Sequence, residues 1–497
     1  MPAIFRKRFA PAAGRDSSGS LFLLTTGKGK GDCRRRYAPR RDRSSAAKSR
    51  LGGAGWLVQT GITRSPPPRL APGRHSTAPG IRMLLRHNRV AVPRDLSTVT
   101  SYDPAAETDP ADVGLKRNAA ERIWSAVEAM YRSGLHPGVA LTVRRGGRVI
   151  LDRAIGHARG NAPGEQGGKI PLTPQTPVCL FSASKAVSAM LIHKLAEQGK
   201  LDIDGRVADY LPEYGNNGKE RTTLRQLLAH RAGIPDVPLK NVDATLLNDF
   251  DMIVKLLCAS KPNAAHGRQQ SYHAVTAGYI AGAVAQRVSG RSLQELLRTE
   301  IAEPLGCRYL RYGLAPEDQG RAALNAFTGP ALPAPLAYVA RRALYLDFDE
   351  VAVLTNDPRF MESVVPAANI YATADDAGRF YQMLLDGGIW EGKRVFRAET
   401  IAEAVRPAGP IQIDRTLLAP VRFSPAFVLG EKPFGLYGAN CPHAFGHLGF
   451  LNIICWADPD RDISVSLLNT GKTVAPDSLL GVARVLGAIS RNCPRVR

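Results

Sequence analysis

Apolar residues recur every three to four positions over residues 117–134, where Ile123, Val127, Met130 and Tyr131 form one stripe, and this spacing predicts an amphipathic helix. Two short runs rich in Val, Leu and Ile follow, 138–143 and 148–155, separated by Gly146-Gly147. They predict a β-hairpin, because paired glycines supply the positive φ angles of a two-residue turn. Residues 156–176 read as loop. Helical spacing returns over 182–198 (closed by Gly199), 222–230 (stopped by Gly233 and Pro235), 275–288, 293–302 and 374–385 (ended by Gly387-Gly388). The helix at 293 opens with Ser292-Leu293-Gln294-Glu295, in which serine and glutamate are spaced to satisfy each other's end amides. Residues 313–360 are rich in Pro and Ala and carry no period. Near the end, 450–456 and 463–468 predict a second hairpin around Asp458-Pro459-Asp460, and 478–489 a last helix. Strands at both ends with helices between them imply an α+β fold. Its mixed antiparallel sheet is built from both chain ends and flanked by the terminal helices, with an all-helical subdomain inserted.

Charge divides the chain. Of 66 Lys+Arg and 44 Asp+Glu, residues 1–100 hold 21 and 4, a net of +17, and the remaining residues hold 45 and 40, a net of +5. The first stretch is also rich in Ser, Gly and Pro, with Arg34-Arg35-Arg36 and Pro66-Pro67-Pro68, and keeps no amphipathic period beyond one turn. The expected organisation is a disordered basic extension over 1–114, a folded domain over 115–490 and a short tail over 491–497. The extension fits an arm that contacts nucleic acid or membrane, or a targeting peptide; a third reading, the preferred one, puts it outside the mature protein, with the start near Met83 or later. An apolar content of 44% excludes a wholly disordered chain. Seven cysteines without a CxxC pair suggest neither a disulfide framework nor a zinc ribbon, so a reducing, cytoplasmic setting is expected. No apolar run approaches the ~20 residues of a membrane helix, and Arg6, Lys7 and Arg8 are not followed by a signal-type apolar segment.

The strongest chemical signal is Phe181-Ser182-Ala183-Ser184-Lys185. On a helix, positions three apart share a face, so Ser182 and Lys185 lie within one turn. Ser182 opens the helix, where free N–H groups favour developing negative charge. A serine hydroxyl needs an adjacent base, and a lysine can serve if its pKa falls by about three units from ~10.4, roughly 4 kcal/mol. A serine capping a helix beside a snorkelling lysine gives the same pattern. A second copy, Ser45-Ala46-Ala47-Lys48, lies in the basic extension without apolar continuation and is set aside.

Further motifs follow in order: Gly199-Lys200-Leu201-Asp202 through Tyr210-Leu211-Pro212, Leu227-Leu228-Ala229-His230-Arg231-Ala232-Gly233, Tyr272-His273-Ala274 with Gly278-Tyr279, Ala372-Thr373-Ala374-Asp375-Asp376 with Arg379-Phe380, and Phe445-Gly446-His447-Leu448-Gly449 with Ala457-Asp458-Pro459. Together with the Ser182 motif they resemble the serine β-lactamase and penicillin-binding-protein superfamily, in its class C-like branch that contains the family VIII carboxylesterases, over about residues 118–490. The resemblance implies a β-lactamase/transpeptidase-like fold and no cofactor or metal. It implies Ser182 as nucleophile, Lys185 as general base or proton relay, Tyr272 against both, an oxyanion hole from the N–H groups of Ser182 and Phe450, and a substrate edge at His447 and Gly449. Either Lys185 or Tyr272 could take the proton, and the pair should titrate as a unit. Gly449, lacking a Cβ, would let substrate approach the strand.

Two positions depart from penicillin-recognising members. Ala274 stands where an asparagine would orient a substrate amide, and His447 where a lysine would attract a carboxylate. Hydrolysis of small carboxylic esters through an acyl-enzyme is therefore expected. The alternatives are a β-lactamase or D-alanyl-D-alanine carboxypeptidase and, from another class, an inactive scaffold with a basic binding tail. Other motifs lead nowhere: no G-x-S-x-G occurs, Gly471-Lys472-Thr473 resembles the end of a phosphate loop but Ser466 stands where its first glycine belongs, and His443 and His447 lie in a Gly-rich segment unlike a zinc-binding helix. His230 is expected to hydrogen-bond near its helix end, and Cys179 to pack.

Overall fold

The computed structural model describes residues 88–496 apart from 238–243, 265–266, 335–336, 339, 342–345 and 451. The expectations for residues 1–87, including disorder, the Ser45 motif and every proposed role of the basic arm, lie outside the described residues.

The central sheet runs in the order Thr100–Tyr102, Arg148–Arg159, Gly138–Arg145, Ile463–Asn469, Ile453–Asp458, Phe445–Gly449, Val428–Leu429, and each pairing is antiparallel. The two chain ends meet at its centre, where Val139 pairs with Asn469 and Arg145 with Ile463. The first hairpin turns on Gly146 and Gly147 at φ 57° and 80°, both positive as a type I′ turn requires. Side chains alternate across the sheet. Val139, Leu141, Val143, Val465 and Leu467 join the core under the helices Ala119–Tyr131 and Pro476–Asn492. Ala140, Cys455, Ala457 and Leu468 join the other core, with the helices Ser184–Glu197 and Ala374–Leu385. Coverage on both faces explains why these strands are buried along nearly their whole length.

Four expectations are corrected. Residues 88–114, assigned to the extension, belong to the fold: Thr100–Tyr102 pairs with the strand Arg148–Arg159, Leu96 is buried, and Glu107 makes two bonds to Arg153. Their short turns, opened by Asp95, Asp103 and Asp109, are too brief to show a period. Residues 491–496, assigned to a tail, are docked, with Cys493 buried, the Pro494 carbonyl accepting from Arg145 and the Val496 N–H donating to Asp460. The inserted region is mostly helical but also holds a three-stranded sheet of Val178–Cys179, Ile370–Ala372 and Arg311–Tyr312, strands too short to alternate visibly. At Ser292 only half the reciprocal cap forms: the Ser292 hydroxyl accepts from Glu295 N–H, while the Glu295 carboxylate turns to Arg291. The unassigned segment 313–360 contributes Ala326–Phe327, Phe348–Thr355 and Pro358–Glu362. Cys179, Cys258, Cys307, Cys441, Cys455 and Cys493 are free thiols, and no helix among the described residues is long and apolar enough to cross a membrane.

Candidate active site

Ser182 sits in a 3₁₀ turn, Phe181–Ala183, that feeds directly into the helix Ser184–Glu197. The strand Ile370–Ala372 fixes this turn: the Leu180 N–H donates to the Ile370 carbonyl at 2.8 Å, and the Ile370 N–H donates to the Ser184 hydroxyl at 3.0 Å. Lys185, one turn on, is buried while Ser182 is half-exposed.

The Lys185 Nζ lies 3.0 Å from the Ser182 Oγ, 2.6 Å from the Ala274 carbonyl and 3.1 Å from the Ala367 carbonyl. Burial pulls its pKa well below that of an ordinary lysine. A neutral amine has two N–H groups and one lone pair. Two carbonyls, which only accept, use both N–H groups and leave the lone pair for the serine hydroxyl. Tyr272 stands beside this pair, its ring centroid 4.9 Å from the Lys185 nitrogen. Burial pushes the phenol pKa upward, the nearby Ser182 hydroxyl opposes the rise, and the charge of Asp414 adds to it. The geometry thus holds a lysine biased toward free amine beside a tyrosine biased toward its protonated form.

His447 lies on the strand Phe445–Gly449, with its ring 6.4 Å from that of Tyr272. Its Nδ1 is 2.8 Å from the Leu448 carbonyl, an acceptor only, so Nδ1 carries the proton. Burial, helped by Lys185, lowers its pKa to about 3. The neutral ring therefore keeps an acceptor at Nε2, the opposite of a lysine that attracts carboxylates. A small pocket of about 40 Å³ adjoins Lys185, Ser188, His230, Ala277, Phe423 and His447. A roomier groove of about 650 Å³, between the helices Phe250–Ala259 and Thr276–Ser289, contains none of the candidate residues.

Gly449 has a different reason from the one expected. A Cβ there would meet the Leu180 carbonyl oxygen at 2.0 Å, so this space is filled by the backbone leading to Ser182 and is not open to substrate. Phe181 and Phe450 both adopt left-handed backbone, at φ 49° and 35°, and their rings stack with centroids 5.1 Å apart. The turns carrying the Ser182 and Phe450 N–H groups are thereby brought together. Gly449→Ala should force them apart, costing about 1–3 kcal/mol by overpacking. A fall in thermal midpoint, with a greater proportional loss of Ser182 reactivity, is the expected measurement.

Two neighbours, Asp414 and Phe423, give no signal in the sequence. Asp414 is fully buried, and its Oδ1 accepts from the N–H groups of Tyr272 (3.0 Å), Thr416 (2.9 Å) and Leu417 (3.0 Å), pinning the tyrosine's backbone. Phe423 packs on His230 at 4.6 Å, and His230 packs on Tyr272 at 4.7 Å. His230 also accepts the His273 N–H at 3.2 Å, so it buttresses the tyrosine loop in addition to ending its helix. Ala274, where an amide side chain was missing, supplies its carbonyl to Lys185. His443 is exposed and pairs with Asp460, away from His447's partners.

Known proteins resemble this chain in sequence and in fold. The esterase/beta-lactamase LipL of Mycobacterium tuberculosis (strain ATCC 25618 / H37Rv) is 29% identical over 355 residues, covering 69% of this chain and 79% of LipL. A family VIII carboxylesterase of known structure superposes with a TM-score of 0.65 at 28% identity, covering 75% of this chain and 97% of that one. A penicillin-binding-protein homologue from Caulobacter crescentus superposes with a TM-score of 0.63 at 28% identity, covering 74% of this chain and 98% of its own. The family model for beta-lactamase matches residues 123–487, well over half of the sequence and every candidate residue from Ser182 to Phe450, and the chain belongs to that family.

Proposed function

We propose that the chain is a serine hydrolase that cleaves small carboxylic esters through an acyl-enzyme on Ser182. The observation that carries this reading is the buried Lys185 amine, whose two carbonyl acceptors leave its lone pair on the Ser182 hydroxyl. Ser182 Oγ attacks the ester carbonyl carbon as its proton passes to Lys185 Nζ. The negative oxygen is met by the N–H groups of Ser182 and Phe450. Collapse breaks the bond to the alkoxy oxygen, which takes a proton from the Tyr272 phenol, and Lys185 returns its proton to the tyrosine. Water then attacks the acyl-enzyme by the same relay in reverse, releasing the acid and restoring Ser182.

The choice of ester over lactam rests on His447 and Ala274. A neutral histidine with a bare Nε2 offers nothing to a substrate carboxylate, and Ala274 has no amide to orient one. The chain's relatives include an esterase/beta-lactamase and a family VIII carboxylesterase. Six free thiols among the described residues support a reducing, cytoplasmic setting.

The test is a p-nitrophenyl ester series beside a chromogenic cephalosporin. Short neutral esters should show kcat/KM well above the cephalosporin. Faster cephalosporin turnover would sink the assignment and favour the second reading, penicillin-type acyl transfer, which the Caulobacter crescentus homologue keeps in view. Installing the missing readers with Ala274→Asn and His447→Lys should move the ester-to-cephalosporin ratio toward the cephalosporin by about tenfold or more, since a site that pairs a polar group discriminates by up to roughly 10⁴–10⁵. An unchanged ratio at fixed ionic strength would mean that these two positions do not set selectivity.

A further inference from the structure

The segment 313–360 has no part in the chemistry above, yet it reaches the two turns that carry the oxyanion donors. The helix Phe348–Thr355 lays Phe348 face to face on Phe450, with ring centroids 4.6 Å apart and planes 24° apart. Phe450 stacks in turn on Phe181, at 5.1 Å and 22°. Phe327 meets Phe348 edge-on at 6.0 Å, and its strand, Ala326–Phe327, pairs parallel with Gly471–Lys472. Lys472, fully buried, brings its Nζ to 4.7 Å from the Phe181 ring centroid and donates to the Asn469 carbonyl at 2.8 Å. The Asn469 amide donates to the Asn452 carbonyl, and the Asn452 amide donates to the Gly471 carbonyl.

The Phe181, Phe348 and Phe450 rings are buried, so they form no open wall for substrate. What they fix is backbone. Phe181 precedes Ser182, and Phe450 carries the second donor; both are non-glycine residues in left-handed conformation. Such a conformation persists only where the surroundings over-determine it. Stacked aromatic faces hold position and tilt together, which an aliphatic contact of equal volume does not.

We propose that Phe348 is a positioning residue for the oxyanion hole. By stacking on Phe450 it holds the Phe450 N–H, and through Phe181 the Ser182 N–H, at the spacing a tetrahedral oxyanion requires. The proposal rests on the assignment of those two N–H groups under Proposed function. It gives the insertion a task at the site, and a misplacement of about 1 Å in such a hole costs on the order of 100-fold in rate.

The experiment compares Phe348→Leu with Phe348→Tyr in the full chain. It follows p-nitrophenyl acetate turnover, the labelling rate of Ser182 by a fluorophosphonate, and affinity for a boronic acid whose tetrahedral adduct uses the same two donors. Leucine should lower kcat, labelling rate and boronate affinity together by about 10- to 100-fold, with KM within about twofold; tyrosine, which keeps the ring face, should stay within about threefold of wild type. If leucine fails to fold, Phe348→Met supplies the arm without a ring. The proposal is overturned if the ringless variant labels and turns over within twofold of wild type, if the loss falls on KM, or if tyrosine loses as much as leucine. Wild type that labels at Ser182 but cleaves no ester would overturn the ester reading alone, and the labelling rates would still test the stack.

Discussion

Ser182→Ala is expected to abolish ester turnover, by about 10⁴-fold or more, while the protein stays folded. The size follows from the role. Without the nucleophile no acyl-enzyme forms, and only binding and the oxyanion donors remain, which elsewhere leave a residual 10³–10⁴ over water. The fold should tolerate the change, because Ser182 is half-exposed and its hydroxyl gives up one bond, to Lys185. A stability change within about 1–2 kcal/mol follows from hydrogen bonds of ordinary strength. Steady-state assay and thermal melting on the same preparation check both halves. Residual activity above about a hundredth of wild type would place the nucleophile elsewhere.

Lys185→Met should have the second largest effect, about 10²–10⁴-fold on kcat/KM, with a change in pH dependence that a packing defect does not produce. Methionine keeps most of the buried volume and removes the base. In wild type the amine must be deprotonated to accept the serine proton, so kcat/KM rises with pH through the pKa of Lys185. Burial has moved that pKa well below the usual lysine range, so the plateau lies at lower pH than an exposed lysine would allow. The variant should lose this rising limb. Lys185→Arg should be inactive for a different reason: a guanidinium stays protonated at every working pH. Tyr272→Phe should cost less than Lys185→Met, because the phenol, held protonated by burial, donates later to the leaving alcohol. A larger loss for Tyr272→Phe, with the rising limb intact in Lys185→Met, would make the tyrosine the base.

Much of the candidate site was legible because its residues are local in sequence. Ser182 and Lys185 are spaced by the single turn that leads into the helix Ser184–Glu197, and Tyr272 and His447 announce themselves through short motifs. The strongly periodic elements were equally readable: Ala374–Leu385 forms as the spacing requires, and the glycine pair at 146–147 turns the hairpin. What stayed hidden depends on distant backbone. Asp414 holds Tyr272 from a loop 142 residues away, and one acidic residue in a loop carries no mark of that task. Gly449 looked like an opening for substrate, but the Leu180 carbonyl that fills the space comes from the other end of the fold. Thr100–Tyr102 was missed because three residues cannot display alternation, and Phe348 because its partners, Phe450 and Phe327, meet it only after folding.

The acyl-enzyme is the centre of the account, and its most direct test is to trap it. The protein is mixed with a slowly deacylating p-nitrophenyl ester, quenched in acid, digested and mapped by mass spectrometry. The account predicts a single acyl increment on the peptide carrying Ser182, formed at the rate of the p-nitrophenol burst and absent in Ser182→Ala. An increment on another peptide, that of Ser45 included, or full ester turnover in Ser182→Ala, would contradict it.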